Sequence, residues 1–529
     1  MAAKNIVLVI VGHQGYVRHV TDEKSYDPEN DILFESISNT YLPLLNVFKS
    51  LDEDKVSFKV GLVLSPPLCS LLDDPTIQQQ YIEWLNRRIA LGEEEVKRCA
   101  KTEYAESANA CLVQAQKDKI DFTEVYDQKL LPLFAEYAAK GYVELIATAG
   151  TYAFLPHYSD MAEILNAQVE TGLYAHRHFF GSAPEGFWLP YMGYTNGLEK
   201  ILRAYGISYT VLDTHGFLFS ETVPKGGIFS PVRCANSLVL FARDNETPGD
   251  ISDADGYMNN PVYKDQTRDV GFDLSAEELK SFLPSGCARV PTGYSYWANG
   301  SDRSENRPVY DPAKAKAQAA EDAKSFLAAK AEKLEKASVL LKGKDVSLVC
   351  TIPASVLGQD WAEGVLWLEQ VFRRNDKSKM TFAKCGELMQ NQFELPKVEP
   401  FPSAASGTGY GEDLLDSTNG WMLRYVRKMS ERMVDLAGRF PDDTGLKARL
   451  LNLGAKELML AQSGEWPKML HENHFSEYVT KRFRDSISAF TAVFDSLGSN
   501  TVSTEWLTNL EHEHTIFPWM NYRIFSRKK

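Results

Sequence analysis

The chain has 529 residues, 44% hydrophobic and 24% charged, an ordinary globular balance that excludes a largely disordered protein. At roughly 150 residues per domain, the length predicts three or four domains, or one large barrel with appendages. Lys+Arg 57 against Asp+Glu 71 leaves a formal charge of −14, a surface that repels nucleic acid and anionic membrane but not a neutral ligand such as a sugar. The seven cysteines, Cys69 to Cys385, lie far apart with no CxxC pair. Reduced thiols in a cytoplasmic protein are expected, rather than a zinc knuckle or a disulfide framework. The N-terminal apolar run is too short for a signal peptide and ends at His13 without a small-residue cleavage site. No stretch approaches the roughly 20 apolar residues of a membrane span.

In chain order, NIVLVIVG (Asn5 to Gly12) is a continuous apolar run, as a strand buried on both faces would be. Glu35 to Leu51 follows with helical periodicity, and FKVGLVL, ending at Leu64, reads as the next strand. A long helical stretch from about Ile77 through Gln116, broken once or twice, comes next. VELIATAG, GFWLP, SYTVLD and VSLVCTIP are further strand candidates. Such alternation predicts an α/β protein with a parallel sheet, closed as a barrel or doubly wound. The lack of GxGxxG after the first strand disfavours a dinucleotide fold. From about 217 to 304 the alternation breaks into Gly, Pro, Asn and Asp, which predicts a looped insertion beside a barrel mouth. Ala313 to Leu341 reads as a long solvated helix. A linker covers 396–413, and three amphipathic helices near Trp421–Leu436, Leu446–Gln462 and Phe475–Leu497 predict a separate all-α domain over 414–529.

Among chemistry-bearing residues, His13 ends the first strand, where barrel active sites are built; a packing or capping role is the competing reading. His176 and His178, two apart on a helix, face different sides and cannot share a metal. His512 and His514 have the same spacing, and no metal or cofactor is expected. Asp213-Thr214-His215 at a strand end suits either an acid/base or metal pair or the orientation of a loop. Gly407 to Gly411 follows no strand and reads as linker. Trp188 and Trp361, each near a strand end, are candidates to face a groove, with core packing as the alternative; Trp367 is assigned to the core. Indoles complement the apolar CH faces of sugar rings, so an aromatic-lined cleft on an acidic protein suits a neutral polysaccharide.

Taken together, GHQGYVRH with LFESISNTYLPLLNVFKSL, GYVELIATAGTYAFLP, GFWLPYMGY, SDADGYMNNPVYKDQTRDVGFDL, VCTIPASVLGQDWAEGVLWLEQVFRR and KELMLAQSGEWPKML with HFSEYVTKRFRDSISAF resemble glycoside hydrolase family 57, in its α-1,4-glucan branching-enzyme-like group. The resemblance runs nearly the length of the chain. It implies a seven-stranded (β/α) barrel over residues 1–395 with an inserted subdomain, followed by a helical C-terminal domain.

The catalytic positions depart from that pattern. A retaining glycosidase needs two carboxylates about 5–5.5 Å apart. The family's WLPE nucleophile position holds Tyr191, and the position of the acid/base Asp holds Pro353, which can neither give nor take a proton. The His and first Trp of the family's GHWW are Gln359 and Asp360; the first His of its HAH is Val11, with His13 kept; the His of its THG is Tyr152. The resemblance therefore implies a kept scaffold with lost chemistry, binding an α-1,4-glucan or a protein partner through the former cleft. His13, Trp188, Asp213, Asp360 and Trp361 are the expected groove residues. The alternative is an active branching enzyme or glucanotransferase of glycogen metabolism that uses displaced residues. Some sialidases do use a Tyr nucleophile, and Asp360 or Glu185 would then activate Tyr191. A metal-dependent deacetylase on a related barrel would need converging His and Asp ligands, and the histidines here are scattered.

Overall fold

The alternating side chains of the first strand face two separate cores. In β1 (Lys4–Gly12), Val7 and Val9 point to one side, while Ile6, Leu8 and Ile10 join the large apolar cluster beneath the helices. The computed structural model describes residues 2–18, 29–283, 289–300, 307–389, 391–499 and 501–527. His19, Cys287 and part of the looped stretch (284–288 and 301–304) lie outside the described residues.

Eight further strands follow: β2 (Val60–Leu64), β3 (Val143–Thr148), β4 (Phe187–Trp188), β5 (Tyr209–Leu212), β6 (Val232–Arg233), β7 (Val239–Ala242), β8 (Val346–Pro353) and β9 (Thr381–Phe382). Parallel pairing runs β4-β3-β2-β1-β8 and β5-β7. Parallel bridges Gly186↔Tyr209 and Arg243↔Val349 join the two sheets, so β1, β2, β3, β4, β5, β7 and β8 close into the seven-stranded parallel barrel. The short β9 pairs with the start of β1, and β6 runs antiparallel along β7.

Val7, Val9, Val63, Ile146, Trp188 and Val211 are among the side chains that fill the barrel interior. Packing there is tight enough that a Cβ on Gly61 would meet Ile146 and Val9 at 3.1 and 3.2 Å. On the outside, the helix Ala162–Phe180 reaches β3 through Gly172, where a Cβ would fall 1.8 Å from the Thr148 carbonyl oxygen. Only glycine permits that approach.

Two expectations are corrected. β7 lies inside the stretch predicted to be looped, so the barrel continues to Ala242 before the insertion begins. Its apolar run, Leu238–Ala242, lies within a stretch rich in turn-forming residues, which hid it. The segment read as a linker is pinned to the barrel: Ser403 pairs with Tyr194, and the Ala405 amide donates to the Tyr191 carbonyl at 2.7 Å. The three predicted C-terminal helices span Gly420–Arg439, Gly445–Ala461 and Ser476–Ser499, with a shorter helix, Glu465–His471, between the last two and another, Thr504–Glu513, after them. They dock on the barrel through polar contacts, including Gln168 to Gln462 at 2.7 Å. No described helix is long and apolar enough to cross a membrane.

Candidate functional site

The C-terminal ends of the barrel strands carry the site, because parallel strands deliver their loops to one face. His13 follows β1 directly. Its Nδ1 lies 2.9 Å from the Ser65 hydroxyl beyond β2, and its Nε2 lies 3.3 Å from the Glu465 carboxylate of the helical domain. The ring stacks on Tyr152 with centroids 4.0 Å apart and 16° between planes. The Tyr152 hydroxyl accepts the Trp188 indole N–H at 3.2 Å. Tyr191 meets Tyr152 edge-on at 5.3 Å and Phe154 at 6.4 Å. Gly464 closes over it: a Cβ there would lie 2.6 Å from Tyr191 Cε2 and 2.8 Å from the Tyr152 carbonyl oxygen.

His13, Tyr152, Trp188 and Tyr191 thus form one aromatic plug. Tyr152 and Tyr191 both adopt left-handed backbone conformations, each at φ 54°, which costs a non-glycine residue on the order of 1–3 kcal/mol and persists only where surroundings enforce it. Burial pushes the Tyr191 phenol well above its ordinary range, and the Glu465 charge pushes in the same direction. Burial also lifts Tyr152 to about 12. Both phenols are protonated at neutral pH, so Tyr191 holds no ready phenoxide.

Replacing Gly464 by Ala is expected to wedge the helical domain off this plug. A cost of about 1–3 kcal/mol is typical of overpacking, read as a lower denaturant midpoint; an unchanged midpoint would show that the interface yields freely.

A second cluster surrounds Asp213, which caps the short helix Thr214–Leu218. One carboxylate oxygen accepts from the His215 amide at 3.0 Å and from its ring Nδ1 at 2.5 Å. The other accepts from Arg243 Nε at 2.7 Å. Asp213 is only 1% exposed, so it orients the more exposed His215 and Arg243 rather than facing a groove itself.

The other expected groove residues part company. Trp188 forms the floor beneath Tyr152. Trp361 is 1% exposed and packs against Trp367 and Tyr263 at 5.5 and 5.4 Å, so it belongs to the core, not the groove. The mouth at β8 offers Pro353 instead, which is exposed. Asp360 stands at the surface beside Ser355; partial desolvation raises its carboxyl and the Ser355 hydroxyl lowers it, and no second carboxylate contributes. Glu185 precedes β4 at the opposite end of the barrel. It shares the space beside Gly386 with Glu144 and is no base for Tyr191.

Sequence reasoning missed Glu465 and Arg243. Glu465 lay within a recognised segment, but its approach to His13 spans most of the chain; Arg243 ended the unrecognised β7. Among the described residues, no group of three or more His, Cys, Asp or Glu side chains could hold a metal ion.

A parallel barrel with its loops gathered at one mouth, capped by a helical domain, belongs to the α/β-barrel class, which builds its sites at that mouth. Residues 7–285 match Glycosyl hydrolase family 57, and residues 425–525 match the C-terminal domain of 1,4-alpha-glucan branching enzyme; the chain belongs to family 57. It is similar to the alpha-amylase AmyC of Thermotoga maritima, with a TM-score of 0.92 and 29% identity over 100% of both chains. It is 24% identical over 490 residues to a 1,4-alpha-glucan branching enzyme of Thermococcus kodakarensis, covering 85% of this chain and 68% of that protein. The crystal structure of that enzyme superposes with a TM-score of 0.88 at 21% identity, over 99% of this chain and 97% of that one. A probable 1,4-alpha-glucan branching enzyme of Mycobacterium tuberculosis is 23% identical over 475 residues, 85% of this chain and 84% of that protein.

Proposed function

We propose that this family-57 protein binds an α-1,4-glucan at its barrel mouth without cleaving or rejoining it. What supports this reading is the pair of residues at the positions where the resemblance expects catalytic carboxylates. Retaining chemistry needs a nucleophilic carboxylate and an acid/base about 5–5.5 Å away. Here one position is a protonated phenol wedged under Gly464, and the other is a proline. Of the carboxylates nearby, Asp213 holds Arg243 and His215, Asp413 and Glu472 pair with Lys468, and Glu465 faces the His13 ring at 3.3 Å.

A glucan as ligand is supported by the family, by the α-glucan enzymes among its relatives, and by the Thermococcus enzyme's structure in complex with glucose. The acidic chain also disfavours anionic ligands. Arg243 and His215 present hydrogen-bonding groups suited to sugar hydroxyls, held in place by Asp213.

The test is a day's incubation of the pure protein with amylose, followed by iodine absorbance and debranched chain lengths, beside calorimetry with malto-oligosaccharides. Unchanged chain lengths with measurable binding are expected. New branches would overturn the non-catalytic reading and favour an active branching enzyme. Absence of binding at millimolar concentration would overturn the glucan.

A further inference from the structure

Aromatic side chains rarely stand open to water in a connected group. One such group begins where the mouth cluster ends. His215 stacks on Phe219 with ring centroids 5.7 Å apart, lies 5.9 Å from Tyr410, and Phe219 meets Phe401 at 6.2 Å. Phe219, Tyr410 and Phe401 are 54%, 51% and 41% exposed, so each ring offers a broad face to solvent.

The group is built rather than incidental. The Phe401 amide donates to the Gly216 carbonyl at 3.0 Å, fastening the 400–410 segment along the helix that carries His215. Gly409, at φ 112°, presses on His215 so closely that a Cβ would lie 2.8 Å from the ring. Glycine alone meets both requirements.

Beyond Phe401 and Phe219 lies a cavity of about 380 Å³, within the size range of small-ligand sites. Pro400, next to Phe401 in sequence, and Glu221, two residues after Phe219, line it together with Asn196, Lys200, Lys397 and Glu399. Two lysines stand among three glutamates once Glu199 is included, so their charges nearly cancel and the lining offers both donors and acceptors. The Tyr194 hydroxyl and the Gly197 amide fix Glu199 by hydrogen bonds of 2.9 and 2.8 Å.

We infer that a linear α-glucan leaves the plugged centre of the barrel at Arg243 and His215, crosses the Phe219–Phe401–Tyr410 platform, and reaches this cavity. Sugar rings bring apolar faces for the rings and hydroxyl rims for the mixed lining, and the near-neutral charge suits an uncharged chain. The inference rests on the glucan reading above and adds a path that engages long chains more than short ones.

The test is calorimetry with maltotriose and maltoheptaose on the full chain and on its Phe219→Ala/Phe401→Ala variant. Both rings are exposed, so the variant is expected to fold. Maltoheptaose should bind the variant about tenfold more weakly, equivalent to about 1.4 kcal/mol, with maltotriose changed by less than about twofold. Equal maltoheptaose affinity in the two proteins would overturn the platform and leave glucan binding at the mouth standing. Failure of the wild-type chain to bind either sugar would overturn both. Self-association of the wild type, lost in the variant while maltoheptaose binding is unchanged, would assign the platform to a second copy of this chain instead.

Discussion

Trp361→Ala is expected to lower stability by about 3–5 kcal/mol, the usual cost of truncating a buried aromatic, while sparing glucan affinity measured well below the melting temperature. Trp361 is among the largest fully buried side chains and lies within the main core, with Trp367 and Tyr263 as ring neighbours. Truncation would leave a void between the barrel's outer layer and the insertion, since Tyr263 belongs to the looped stretch and Trp367 to the helix Gly364–Arg373. Trp361→Phe keeps most of the volume and should retain much of the stability. Denaturant midpoints check the first part and calorimetry the second. A stable Trp361→Ala protein with abolished sugar binding would return this indole to the groove.

Asp244→Ala should have an effect of similar size for an electrostatic reason. Asp244 is fully buried beyond β7 and accepts hydrogen bonds of 2.7 Å from Lys330, Lys333 and Thr247. Its amide also donates to the Val349 carbonyl at 2.7 Å, at the barrel's closing seam. Burial is the largest single influence and would raise this carboxyl, but the hydrogen bonds from Lys330, Lys333 and Thr247 and the Lys330 charge together hold the group below the usual range. Removing the carboxylate leaves the buried Lys330 ammonium with only Asp250 for a charged partner. Breaking a buried pair in this way typically costs about 3–5 kcal/mol.

The direction with pH follows. A depressed folded-state pKa means that the native protein binds fewer protons than the unfolded chain near the unfolded value of about 3.9. The contribution is therefore present above that pH and lost as pH falls through the folded value. Acid should destabilise the wild type more steeply than Asp244→Ala, as measured by thermal midpoints between neutral pH and about pH 3. Asp244→Ala/Lys330→Met, which removes both charges, should recover part of the loss. If the double variant were less stable than Asp244→Ala, charge burial would not be the cause.

How much of this was legible beforehand differs by level. β1, β2, β3, β5 and β8 announced themselves as apolar runs, because a strand buried on both faces has no polar side to show. β7 was missed: the short apolar run Leu238–Ala242 among turn formers shows no periodicity, and only pairing with β5 and the bridge to Val349 makes Val239–Ala242 a barrel strand. The long C-terminal helices were readable from their amphipathic spacing, whereas Glu465–His471 is too short to carry such a signal. At the mouth, motif order located His13, Tyr191 and Pro353. Side-chain type alone misassigned Trp361, since an indole suits a sugar platform and a core equally well.

The sequence by itself determined the parallel α/β scaffold and the family, and it puts Tyr191 and Pro353 where the resemblance expects carboxylates, because apolar periodicity and ordered motifs are local properties of the chain. Tertiary structure decided what surrounds those two positions. Tyr191 and Tyr152 became a plug because Gly464, far along the chain, lies against them, and Glu465 reached His13 from the same helical domain. Asp213 turned inward to hold Arg243 and His215, while Phe219, Phe401 and Tyr410 were left facing solvent. Each outcome depends on contacts between residues distant in sequence, whose geometry exists only once the barrel has closed and the helices have docked.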